Sequence, residues 1–159
     1  MPGYGVPATS EGLLPWSWAQ ERLVRSHNYW VVTASASCRP HASPVWGVWL
    51  TEREQFAFSC SPASRKARNL RANPALSVAA DDTVESVIVE GRAEALTGGP
   101  AERVMTAWLE KYWPDAADRP SLAGLVPPND VFVLTPERAF GVIERAEEFS
   151  KRATRWSWA

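Results

Sequence analysis

Long apolar runs are missing from this 159-residue chain. A helix needs about 18 consecutive apolar residues to cross a bilayer, so no spanning helix is expected. The start of the chain has neither a basic stretch nor a long apolar one, so no secretory leader is expected and the expected location is cytoplasmic. Net charge is scarce too: 17 Lys and Arg balance 18 Asp and Glu for a formal charge of -1. A surface so balanced attracts neither nucleic acid nor membrane as a whole, and neither is expected as a partner. The two cysteines, Cys38 and Cys60, have no metal-ligand spacing and read as free thiols. Neither histidine, His27 nor His41, sits in a catalytic pattern, and both read as structural. Asp81-Asp82 reads as a strand-end turn, not a metal pair. The chain also lacks internal repeats, low-complexity tracts and an alternating series of helices and strands, which argues against a doubly wound sheet.

What the chain has in excess is tryptophan, nine residues in all. Trp is enriched where a flat apolar surface meets a partner or ligand, so a wide apolar contact is expected. Residues 1–12, rich in Gly, Pro, Ser and Thr, read as a flexible segment ahead of a single domain over 13–159. The motif begun by Gly3 and Gly5 is not a dinucleotide fingerprint, because no strand precedes it and Pro7 falls where the helix should open.

Periodicity supplies the elements. Residues 16–26 repeat at helical spacing. Residues 29–35, 41–50, 55–59, 76–80 and 86–96 read as strands, with Val87, Val89 and Gly91 on one face and Ile88 and Glu90 on the other. A helix covers 101–112 and a Pro-rich loop 113–129. A hairpin turning at Pro136-Glu137 and a last strand at 154–158 complete the chain. Six or seven strands with a few short helices predict a mostly β fold, a small and mainly antiparallel barrel.

The most informative stretch is 56–82. A strand runs into a polar turn from Ser59 to Ser64. That turn opens a short helix beginning Ser64-Arg65-Lys66, which Asn73-Pro74 ends. The open N–H groups of a helix start favour negative charge, and hydroxyls with two cations at the same place suit a phosphate. Arg68 and Arg71 lie on the same helix and either widen the positive patch or form a solvated face. Cys60, beside the turn, reads as an inert thiol.

Four stretches then occur in a recognisable order. They are Arg39-Pro40-His41 through Val45-Trp46-Gly47-Val48-Trp49, Ser64-Arg65-Lys66 with Asn69-Leu70 and Asn73-Pro74, residues 87–92 (VIVEGR), and Thr154-Arg155-Trp156. Together they resemble the pyridoxamine 5'-phosphate oxidase-like, FMN-binding split-barrel family. Pro44-Val45-Trp46 and the Thr-Arg-Trp ending resemble its actinobacterial branch, whose members bind FMN or the deazaflavin coenzyme F-420. The resemblance implies a split β-barrel homodimer with two cofactor sites at the subunit interface. It implies that Ser64, Arg65 and Lys66 hold the cofactor phosphate, with Ser59 and Ser61 on the preceding turn. Ser43, Val45 and Trp46 would lie along the ring, and Arg155 and Trp156 would approach it. Where the vitamin-processing oxidases carry a basic residue on the second strand, this chain has the neutral Ser43, so pyridoxamine phosphate oxidation is not the expected activity. The function implied is hydride transfer between F-420 or FMN and a small conjugated substrate. The alternative is a carrier of flavin, deazaflavin or haem without turnover. No side chain stands out as a catalytic acid or base.

Overall fold

The computed structural model describes residues 11–126 and 128–158, so most of the 1–12 segment lies outside the described residues. In chain order the elements are α1 (Trp16–Arg25), β1 (Asn28–Ala34), β2 (Pro40–Leu50), β3 (Gln55–Cys60), α2 (Arg65–Ala72), β4 (Ala75–Ala80) and β5 (Glu85–Leu96). They continue with α3 (Gly98–Tyr112), β6 (Asp130–Ile143), α4 (Phe149–Arg152) and β7 (Thr154–Ser157). Every strand pairing is antiparallel. The sheet order is β3-β2-β1-β4-β5-β6-β7, and β3 also pairs with β6. The first six strands therefore close into a barrel, and β7 is added at the edge of β6.

Alternation places the core. Tyr29, Val31 and Thr33 of β1 are buried, while Trp30 and Val32 between them face out. Tyr29, Phe56, Phe58 and Phe132 fill the interior, with the last three rings stacked in succession at 6.1 and 5.7 Å. Helix α1 turns Ala19 and Leu23 into this core. Helix α3 covers the other side of the wall, laying Val104, Met105 and Trp108 over Val48, Ala57, Val131 and Val133. No helix among the described residues is long and apolar enough to cross a membrane.

One expected element is different. The hairpin predicted at Pro136-Glu137 does not form, and Asp130–Ile143 is one continuous strand. Its register against β5 shifts between Glu90 and Gly91: Gly91 pairs with Pro136 and Glu90 with Arg138. Glu137 is the extra residue of a β-bulge. A bulge is one of the few places where a strand tolerates a proline, which has no N–H to donate.

Most of the tryptophan excess is spent inside the chain's own fold. Trp16 meets Trp49, Trp156 and Trp158 edge-on at 5.9, 5.3 and 4.9 Å. Glu54, in the turn before β3, accepts the indole N–H of Trp16 at 2.7 Å and that of Trp158 at 2.8 Å. One carboxylate thus ties the first helix and the last strand to the same corner of the barrel. Glu54→Gln replaces one acceptor oxygen by a donor amide, which leaves one indole N–H unmet. The expected loss is about 1–3 kcal/mol, read as a lower urea midpoint at unchanged slope.

Candidate functional site

Ser64 ends the extended backbone and caps α2, its Oγ accepting the Ala67 N–H at 3.2 Å. The preceding turn is self-bonded: Ser61 Oγ accepts from Ala63 N at 3.2 Å, and Ser64 N donates to Ser61 O at 2.9 Å. Ser59 stands just before it, on β3 opposite Val131. Arg68 donates to the Ala63 carbonyl. Arg71 donates to the Pro62 carbonyl at 2.9 Å and forms an ion pair with Asp130. These two arginines brace the turn, so the wider positive patch considered for them is not what they form. Arg65 and Lys66 are different: among the described residues neither enters an ion pair. Their N–H groups belong to the open first turn of the helix.

The helix is fixed to the β1–β2 hairpin. Buried Asn69 donates through Nδ2 to Thr33 Oγ1 at 2.9 Å. This brings Arg65 and Asn69 against Ser35, Ser37, Arg39, Pro40 and His41, and the seven residues line a polar cavity of about 300 Å³. Arg39 is a cation that sequence reasoning did not assign to the site. Its neighbourhood with Arg65 depends on how α2 seats on the hairpin, and no local spacing encodes that. The two helix cations diverge: Arg65 lines the cavity, while Lys66 acts electrostatically on Cys60. Burial raises the Cys60 thiol above its ordinary value, against a Ser64 hydrogen bond and the Lys66 charge, and both cysteines are free. Along the inward row of β2, His41 Nδ1 and Ser43 Oγ are buried and lack a hydrogen-bond partner. Buried polar atoms are ordinarily paired, and of these two His41, which lines the cavity, is the one placed to meet a bound polar ligand.

From Pro40 the strand leads away from this cavity. Val45 turns inward and is 9% exposed, whereas Trp46 faces out at 45%. Trp49 returns to the core, so the two indoles lie on opposite faces of the strand, as their spacing predicts. Trp46, Val45, Pro44, Trp30, Asn28 and Asp81 line an open cleft of about 470 Å³. Trp46 is six positions along the strand from Pro40, about 20 Å.

Trp46 is held in place: it stacks on Tyr112 at 5.0 Å and 11°. The Tyr112 hydroxyl accepts from Gly47 N at 2.9 Å and donates to the His27 carbonyl. Behind it, Lys111 Nζ donates to Ser26 O, Tyr29 Oη and Gly47 O at 2.6, 2.7 and 3.0 Å. Burial pushes Lys111 down to about 8, against the Asp81 charge. Burial also pushes Tyr112 up to about 12 and Tyr29 higher still. These shifts set a pH profile for stability. Between about 8 and 10.5 the unfolded chain holds the Lys111 proton and the folded one has lost it, so stability rises with pH. Above 10.0 the unfolded tyrosines ionise while the folded ones keep their protons, so stability falls. The urea midpoint is expected to climb from pH 7.5 to 9.5 and to drop by 11.5. In Lys111→Met the climb should be absent.

The C-terminal candidates lie elsewhere in the chain. Arg155 stands over the Phe140 ring at 5.5 Å, and Trp156 packs on Trp16 and against Gly141. Neither lines the cavity that holds Arg65.

A closed antiparallel barrel of six strands with a seventh at its edge defines a split-barrel class of protein. Residues 19–143 match the family model of pyridoxamine 5'-phosphate oxidase, and the chain belongs to that family. Among solved structures, a conserved hypothetical protein, Rv2991, from Mycobacterium tuberculosis is similar with a TM-score of 0.72 at 18% identity, over 87% of this chain and 91% of that one. A heme binding protein from Mycobacterium smegmatis matches at 0.64 and 21%, over 91% of this chain and 59% of that one. An F420 reductase matches at 0.59 and 20%, over 76% and 94%. At these identities the likeness is one of fold. No curated protein matches.

Proposed function

We propose that this protein is an oxidoreductase that works with a phosphate-bearing deazaflavin or flavin cofactor and a small conjugated substrate. The observation that carries the reading is the rim itself. It combines Arg65 and Lys66, which have no ion-pair partner among the described residues, the capped start of α2, Arg39 across the cavity, and the unmet His41 Nδ1. Arg65, Lys66 and Ser64, with Ser59 and Ser61 beside them, would hold the phosphate. Backbone groups of β2 from Ser43 to Trp46 would orient the ring, whose outer wall is Trp46. The cofactor, when bound, supplies the hydride chemistry. The chain supplies anchoring, orientation and exclusion of water.

Trp30, Val32 and Trp46 are 50%, 37% and 45% exposed on one outer face of β1 and β2. An apolar face of this kind favours a second copy of the chain as its cover. In such a homodimer Arg155 and Trp156 would serve the partner's site or their own. The neutral Ser43 favours the deazaflavin over FMN, while the structural neighbours include both an F420 reductase and an FMN binding protein.

A carrier without turnover is the second reading. It is favoured by exposed His27, whose ring stands edge-on to Trp46 at 5.8 Å beside the cleft, and by a haem-binding neighbour. The deciding experiment incubates the protein with the reduced deazaflavin coenzyme and conjugated acceptors and follows the oxidised chromophore. Protein-dependent turnover supports the enzyme. Binding without turnover, or haem binding abolished by His27→Ala, supports the carrier.

A further inference from the structure

A second cleft lies on the far side of β2 from the barrel interior, where the first half of α3 crosses the end of β2 and the turn to β3. Val48, Trp49, Leu50, Pro100, Val104 and Ala107 give it an apolar lining, and its volume is about 360 Å³. That falls within the roughly 300–1,000 Å³ typical of small-molecule sites. The polar groups are Thr51, Glu52, Arg53 and Arg103. Two guanidinium groups thus stand at one apolar cleft against one carboxylate. Among the described residues neither Arg53 nor Arg103 forms an ion pair.

We propose that this cleft is a second ligand site, separate from the cofactor rim, that takes a small amphipathic monocarboxylate. The apolar body would lie against Val48, Leu50, Val104 and Ala107, and the carboxylate would meet the Arg53 and Arg103 guanidinium groups. Guanidinium recognises carboxylate through paired N–H donors, while the apolar wall rejects a bare inorganic anion. None of the rim residues Arg39, His41, Asn69 and Arg65 lines the cleft. Occupancy here is therefore expected to be independent of the phosphate site.

The test is calorimetric titration of the intact protein with octanoate, octanol and inorganic phosphate. Octanoate should bind saturably at one per chain, and octanol roughly tenfold more weakly. Phosphate should not compete. Arg53→Gln and Arg103→Gln, both exposed substitutions, should each weaken octanoate by about tenfold and leave octanol unchanged. Ala107→Trp should block both ligands. Arg65→Ala with Lys66→Ala, which disables the rim, should leave octanoate binding intact. Equal affinity for octanoate and octanol overturns the proposal, as does an unchanged affinity in both arginine variants. No binding of octanoate at millimolar concentration also overturns it. Loss of octanoate binding in the rim variant would assign the carboxylate to the rim and likewise overturn it.

Discussion

Arg65→Ala combined with Lys66→Ala is expected to weaken binding of a phosphate-bearing flavin or deazaflavin by about a hundredfold or more. A hydrogen bond to a charged group contributes about 1.5–3 kcal/mol, so two lost together remove roughly 3–6 kcal/mol of affinity. The fold should not notice. Both side chains are free of ion pairs among the described residues, and surface changes of that kind stay within about 0.5 kcal/mol. Arg71→Ala is the informative contrast. It removes the bond to Pro62 O and the pair with Asp130, so it should loosen the turn and lower stability. The wild-type affinity should also fall as salt is raised, because the rim is open to solvent. A double variant that keeps wild-type affinity would place the phosphate elsewhere.

Gly91→Ala is expected to be the most damaging single-atom change in the barrel. A Cβ there would lie 2.0 Å from the Thr135 carbonyl oxygen and 3.0 Å from both Glu137 N and Pro136 Cα. All three are backbone atoms of the facing strand, so no side chain can swing aside. They also form the bulge through which β6 shifts register. Overpacking of this kind costs about 3 kcal/mol. In a domain of this size that lowers the melting temperature by roughly 6–12 °C. Gly98→Ala is the control. Gly98 has φ of +58 but nothing within 4 Å of a Cβ, so its cost is that of a left-handed residue alone, about 1–2 kcal/mol. Equal losses at the two glycines would mean that the strands separate readily at Gly91 and that the bulge is not a rigid joint.

The contrast between these residues explains what the sequence reveals and what it withholds. β1 was legible because Tyr29, Val31 and Thr33 alternate with Trp30 and Val32, and one face of that strand is core. α2 was legible because Ser64 and Asn73-Pro74 carry local start and stop chemistry. Pro136 misled because the same residue serves a turn and a bulge, and the choice between them is made by β5 across the sheet. The candidate site divides in the same way. Ser64, Arg65 and Lys66 are contiguous and readable. Arg39 joins them through the seating of Asn69 on Thr33, a contact between residues 36 positions apart. Arg68 and Arg71 share a helix with Arg65, yet carbonyls of the preceding turn and Asp130 occupy them, and helical spacing does not record those acceptors. Tryptophan content pointed to a broad apolar contact. Trp16, Trp49, Trp156 and Trp158 instead meet one another around Glu54, leaving Trp30 and Trp46 as the large exposed indoles.

The central claim is that the rim around α2 receives the phosphate of a flavin-type cofactor whose ring reaches Trp46. Parallel titration with the deazaflavin coenzyme and with FMN, followed by tryptophan fluorescence and by the absorption of the bound cofactor, tests it most directly. The expected result is saturable binding of the deazaflavin, tighter than that of FMN, with quenching that shrinks in Trp46→Phe. Binding of neither cofactor, by either signal, would contradict the claim.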